Sequence, residues 1–251
     1  GSEMCIRDSY KTAQFVDEAQ KAYDAYEFHK VYKLIDNFCG VTLSRVYHDI
    51  LKDRLYTYAA HSAERRSSQT AIDIISDALI KVAAPILTFT ADEAYSFKNG
   101  AEYSEDSVHL QDWPEIGAEY RDEIAYERVE RVLSLREKVN EELEKLRQNK
   151  TIGKSLEAEI EIMVRASSPE AEALRELSGN LPEIFIVSAV RVVEGNFETP
   201  AVRAAKVEGR RCARCWRVMP DLPEDGICPR CKKAMSEHIS VSYTHLTLPT
   251  T

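Results

Sequence analysis

Four thiols stand at a spacing that can do chemistry. Residues 212–231 read C-A-R-C-W, then a polar turn, then C-P-R-C, so that two C-x-x-C pairs are separated by the twelve residues 216–227. Each pair forms a tight knuckle offering two sulfurs to one tetrahedral ion, and four thiolates at this spacing are the donor set of a structural zinc site. Two disulfides would use the same residues, but the N-terminus shows no charged and apolar secretory signal, and the remaining cysteines, Cys5 and Cys39, lie far away in sequence. A redox dithiol needs one C-x-x-C, and a second at ribbon spacing speaks against it. The expectation is one structural zinc ion on Cys212, Cys215, Cys228 and Cys231. The ion supplies folding energy that so short a segment cannot draw from an apolar core, so a strong chelator should unfold it.

The surroundings of the four cysteines are basic although the chain is acidic. The 251 residues carry a net charge of -9, which argues against holding nucleic acid by bulk electrostatics. Between residues 203 and 233, nine Lys or Arg face four acids, a local balance of +5. Four thiolates with one zinc ion carry a charge of about -2, so part of this excess compensates the centre itself. Trp216, flanked by Arg214 and Arg217, is a candidate for stacking on a base or sugar, and packing over the metal site is the competing reading. Arg54, Arg65 and Arg66 are candidates for reaching phosphates, with helix-terminal ion pairs as the alternative.

The elements that must position these residues follow from periodicity. With 44% hydrophobic and 30% charged residues the chain can build one or two ordinary cores, and no apolar run is long enough to cross a bilayer. Residues 12–39 repeat apolar positions at three- and four-residue steps, predicting one or two amphipathic helices that stop at Gly40. Ser44 is the expected cap of a second helix, whose K-D-R-L-Y end (52–56) reads as a solvated terminus. Ser67 or Ser68 caps a third that halts or kinks at Pro85, and T-x-x-E at 90–93 is a capping box opening a fourth. Together these predict a helical bundle over 10–98. A linking loop with a short strand is expected over 99–119, and one long charged helix over 120–150. A small α/β module should occupy 151–207, with a half-buried strand at 156–164, a helix opened by Ser168-Pro169 and closed at Gly179, and strands near 184–193 and 202–207. The ribbon takes 208–240. The fold class is therefore mainly α. The ends, 1–9 and 241–251, continue no internal pattern; they resemble a cloning scar and adapter-derived sequence and read as a non-native leader and tail.

Phosphate-binding, nucleophile-elbow and metalloprotease motifs are absent from the sequence, and no catalytic residue is assigned. The words within the modules carry a resemblance instead. Y-E-F-H-K-V-Y (26–32), N-F-C (37–39), L-S-R-V-Y-H-D-I-L-K-D-R-L-Y-T-Y (43–58), R-R-S-S-Q-T-A (65–71) and A-P-I-L-T-F-T-A-D-E (84–93) resemble the anticodon-binding helical domain of bacterial-type isoleucyl-tRNA synthetases. W-P (113–114), N-K-T-I-G-K-S-L-E-A-E-I (149–160) and the four-cysteine segment resemble that family's C-terminal module and zinc ribbon, so the resemblance covers about residues 10–240. E-A-Y (93–95) departs from it where the family often has a tryptophan.

The resemblance implies the C-terminal part of a larger class I ligase that joins isoleucine to its tRNA with ATP through an aminoacyl-adenylate. H-I-G-H and K-M-S-K-S, the family's catalytic words, do not occur in this sequence. It further implies that ATP belongs to the parent enzyme, that catalytic and editing domains precede this part in cis, and that its own partner is the anticodon arm of isoleucine tRNA. A cytoplasmic monomer without a membrane partner is expected. The alternatives are a free-standing zinc-ribbon RNA-binding or adaptor protein without catalysis, and a scaffold whose zinc only staples the C-terminus.

Overall fold

The computed structural model describes residues 3–100 and 107–239. The chain is mainly helical. In order come α1 (Glu3–Asp24), α2 (Phe28–Asn37), a π-helical stretch Phe38–Tyr47, α3 (His48–Thr57), α4 (Ala63–Ala83), α5 (Thr88–Asn99), α6 (Glu123–Leu133) and α7 (Arg136–Gln148). Then follow β1 (Ala158–Arg165), α8 (Pro169–Glu176), α9 (Leu181–Phe185), β2 (Ala189–Gly195), β3 (Ala201–Lys206), β4 (Arg210–Arg211), β5 (Val218–Met219) and α10 (Pro229–Ile239). Two compact units result, one of Gly1–Asp49 with Ser67–Glu127, the other of Ile50–Arg66 with Arg128–Thr251.

The first unit is a helical bundle. Phe15, Val16, Ala19 and Ala22 recur at helical spacing on α1 and are buried, and Phe15 stacks on Phe38 with ring centroids 4.3 Å apart. Ala71, Ile75, Ala78 and Val82 form the buried stripe of α4, which ends two residues before Pro85 because the ring cannot continue the ladder. Ala84, Ala91, Tyr95 and Val108 close a second cluster. Asp92 pins the segment entering that cluster: Ser107 Oγ and the Val108 N–H donate to its Oδ1 at 2.7 and 2.9 Å, which holds the carboxyl below its usual range.

The second unit contains a three-stranded sheet in the order β2-β1-β3, with β1 parallel to β2 and antiparallel to β3. The parallel pair is joined by α8 and α9, as a parallel connection requires a crossover. Alternation along β1 buries Ile160, Ile162 and Val164, while Glu159 and Glu161 pair across at Ala205 and Arg203 of β3. Ser168 caps α8 by accepting from the Ala171 N–H at 3.1 Å, with Pro169 in its first turn. The four-cysteine segment adds a two-stranded hairpin, β4 against β5, and α10.

Several expectations need correcting. Gly40 does not end a helix: the backbone widens into the π-helical stretch and continues into α3, leaving Ser44 no cap to make. α4 starts at Ala63, where Ser62 Oγ accepts from the Arg65 N–H at 3.2 Å, so Ser67 and Ser68 are interior. Helix α5 begins at Thr88 after Leu87 without a side-chain cap, which removes the capping box at 90–93. The expected strand near 107–114 is a single 3-10 turn, Val108–Leu110. The long helix is two helices, because Ser134 and Leu135 interrupt it and Leu135 turns inward, 3% exposed. Residues 184–185 end α9, and α8 closes at Glu176, before Gly179. Segment 3–9 lies within α1, and Cys5, Arg7, Asp8 and Ser9 are buried, so its exclusion from the fold does not hold. The tail 241–251 falls outside the described residues.

Candidate metal centre and the arginines around it

β4 ends at Arg211 and delivers Cys212; the chain turns through Cys215 and Trp216 and returns as β5 from Val218. The Trp216 N–H donates to the Cys212 carbonyl at 3.0 Å, and the Cys212 N–H to the Arg217 carbonyl at 2.9 Å, which closes the first knuckle. Trp216 takes a left-handed backbone, φ 65°, to complete that turn. Gly209, φ 136°, is needed just before β4: a Cβ there would stand 2.2 Å from the Met219 carbonyl oxygen of the paired strand. The second knuckle is Cys228 and Cys231 astride Pro229 and Arg230, in the first turn of α10.

The four sulfurs lie within 4.8 Å of one another, all on buried residues, with Leu222 packed among them and Met219 and Ile227 at the margin. Cys215 and Cys228 Sγ are 3.7 Å apart. A tetrahedral ion with zinc–sulfur bonds of about 2.3 Å needs sulfur pairs about 3.8 Å apart. The cluster can therefore hold a metal ion, and its all-thiolate donor set fits zinc. The backbone is prepared for a thiolate at Cys212. Burial alone would raise that thiol, but the N–H groups of Cys215, Cys228 and Arg214 directed at its sulfur outweigh burial and bring it down to about 6. The Cys228 N–H approaches Cys212 Sγ at 3.3 Å. Burial pushes Cys215 up, and Cys231 up to about 12, so without an ion these two sulfurs keep their protons, and an ion that bound them would displace those protons to solvent.

Three arginines of the ribbon converge on the last turn of α3. Arg214 donates to the carbonyls of Thr57 and, at 3.4 Å, Tyr56. Arg217 donates to Asp53 Oδ2 at 2.8 Å. Arg230 grips the same carboxylate through two nitrogens at 2.6 and 2.8 Å, donates to Thr57 Oγ1 at 3.1 Å, and lies 4.9 Å over the Tyr58 ring. Burial opposes the charge on Asp53, but the Arg230 bonds and the two guanidinium charges prevail and hold its carboxyl below the usual range. Beside them Arg54 Nε donates to Glu183 Oε2 at 2.8 Å, and Tyr58 donates to the other carboxylate oxygen. Burial and the Glu183 charge push the Tyr58 phenol up to about 12.

The structure thus sorts the six RNA-contact candidates. Arg54 is 0% exposed and bonded to Glu183, so it offers no surface to a phosphate. Arg214 and Arg217 are engaged with α3 and largely covered. Arg65 and Arg66 sit in the first turn of α4, half-buried and exposed respectively. Trp216 is 49% exposed, with Lys154 Nζ 4.4 Å from its ring centroid, so one face is occupied and much of the ring is left to solvent. Asp53, Glu183 and Arg230 were missed by sequence reasoning. Their only signal was that Lys and Arg outnumber the acids of the ribbon segment, nine to four.

A helical bundle followed by a sheet module and a four-cysteine ribbon fits a known class. Residues 9–162 match the family model of the anticodon-binding domain of tRNA ligase, and the chain belongs to that family. Its relatives narrow the likeness. The chain is 36% identical over 247 residues to the isoleucine–tRNA ligase of Natranaerobius thermophilus, covering 91% of this chain and 26% of that protein. It is 39% identical over 226 residues to the isoleucine–tRNA ligase of Thermotoga neapolitana, covering 87% and 24%. With the isoleucine–tRNA ligase of Petrotoga mobilis the figures are 36% over 241 residues, 92% and 26%. The chain spans about a quarter of the length of these relatives. Among the described residues no helix is long and apolar enough to cross a membrane.

Proposed function

We propose that this chain is the tRNA-recognition part of an isoleucine–tRNA ligase, with one structural zinc ion on Cys212, Cys215, Cys228 and Cys231. Activation of isoleucine with ATP, its transfer to tRNA and editing belong to segments outside these residues. The observation that carries the reading is the family match over 9–162, continued by relatives whose similarity covers about 90% of the chain. The partner is the anticodon arm of isoleucine tRNA, met by a cytoplasmic monomer.

The division of labour follows from the side chains. Bound zinc neutralises part of the thiolate charge and supplies folding energy to the ribbon. Arg214, Arg217 and Arg230 anchor the ribbon on α3, which leaves Trp216 exposed at a fixed place for an unpaired base to stack on. Lys154, Lys232, Lys233 and Arg66 are the cations for phosphates in the same unit. The experiment is fluorescence anisotropy of a labelled anticodon arm titrated with the purified chain over a range of salt, beside an ATP–pyrophosphate exchange assay. Saturable binding that weakens steeply with salt, without exchange activity, is expected. Exchange activity in the chain alone, or no binding at low salt, overturns the reading.

A further inference from the structure

The two knuckles of the four-cysteine centre are joined by something other than an ion. Arg217 adjoins the first, immediately after Trp216, and Arg230 lies inside the second, between Pro229 and Cys231. Both end on one carboxylate, that of Asp53, which lies 159 positions before the first of the four cysteines. Asp53 is in turn held by Thr57 Oγ1, which donates to its Oδ1 at 2.7 Å and to its own-turn carbonyl. Arg214, within the first knuckle, fastens to the carbonyls at the end of the same helix.

We infer that Asp53 is a positioning residue for the metal centre: by holding an arginine beside or within each knuckle, it raises the fraction of the metal-free ribbon in which the two pairs of sulfurs face each other and so sets the affinity for the ion. This rests on the reading that the cysteines take zinc. An ion binds more weakly when only a fraction of the empty protein has its ligands in place, in proportion to that fraction. Outer partners of metal ligands characteristically contribute about 10–100-fold in affinity. Charge is separated from positioning by a second carboxylate: Glu224, in the exposed turn between the knuckles, can be neutralised without releasing either arginine.

The test is zinc competition between a chromogenic chelator and the full chain, at fixed pH, for wild type, Asp53→Asn, Arg230→Lys and Glu224→Gln. Arg230→Lys keeps the charge but loses the two-point grip, and does not depend on Asp53→Asn folding. Glu224→Gln removes one negative charge from the exposed turn between the knuckles without touching Asp53. Far-UV circular dichroism establishes that each variant keeps its helices. Expected are one zinc per wild-type chain, a dissociation constant raised about 10–100-fold by Asp53→Asn and in the same direction by Arg230→Lys, and little change for Glu224→Gln. Unchanged or tighter zinc in a folded Asp53→Asn or Arg230→Lys chain overturns the inference and leaves the zinc reading standing. A wild-type chain that takes no zinc overturns both.

Discussion

At Arg54 a guanidinium has been taken out of water and answered by Glu183, whose other oxygen accepts from Tyr58. Relative to apolar side chains of similar volume such a pair contributes little, but removing one partner strands the other at about 3–5 kcal/mol. Arg54→Met is expected to lower the stability of the unit by that order in denaturant unfolding, and adding Glu183→Leu to recover most of the loss. Asp53 gives a pH signature. Its folded carboxyl is lowered from the ordinary 3.8, so its contribution is complete above that value and lost as the pH falls below it. The stability gap between wild type and Asp53→Asn should be constant from neutral pH to about 4 and close in stronger acid. Trp216→Ala removes a half-exposed ring and should weaken the anticodon arm by about 1–3 kcal/mol without shifting the unfolding midpoint. The sulfurs were legible because ligand spacing is local. Arg54 was not: K-D-R-L-Y reads as a wet helix end until Glu183, distant in sequence, arrives to bury it.

Elements were legible where one periodicity ruled. The stripes of α1 and α4, the alternation of β1 and the Ser168-Pro169 start of α8 all came through, since burial on one face writes itself into spacing. Boundaries failed where tertiary packing decided. A charged heptad-like run hides the break at 134–135, and Gly40 looks like a stop although the helix absorbs it in a π-helical stretch. The hairpin β4–β5 has two-residue strands and a core made largely of cysteine, so its cohesion depends on the ion. In a Trp113→Phe background, a strong chelator should therefore change Trp216 emission cooperatively while the far-UV helical signal falls little. Cys212→Ser should reproduce that emission without chelator.

For the whole molecule, charge and recognition have to be reconciled. A net charge of -9 repels RNA at long range, so the binding proposed for this chain has to be local, through cations of the ribbon and of the first turn of α4. Family membership over 9–162 makes the anticodon arm the fitting partner, and discrimination among arms is what separates recognition from adhesion of a basic patch. The direct measurement is competition at near-physiological salt: a labelled anticodon arm of isoleucine tRNA on the zinc-loaded chain, displaced by unlabelled arms of isoleucine tRNA and of tRNAs for other amino acids. The account predicts displacement by the isoleucine arm at concentrations at least about tenfold lower than by the others, a difference of about 1.4 kcal/mol. Equal displacement by every arm would contradict it.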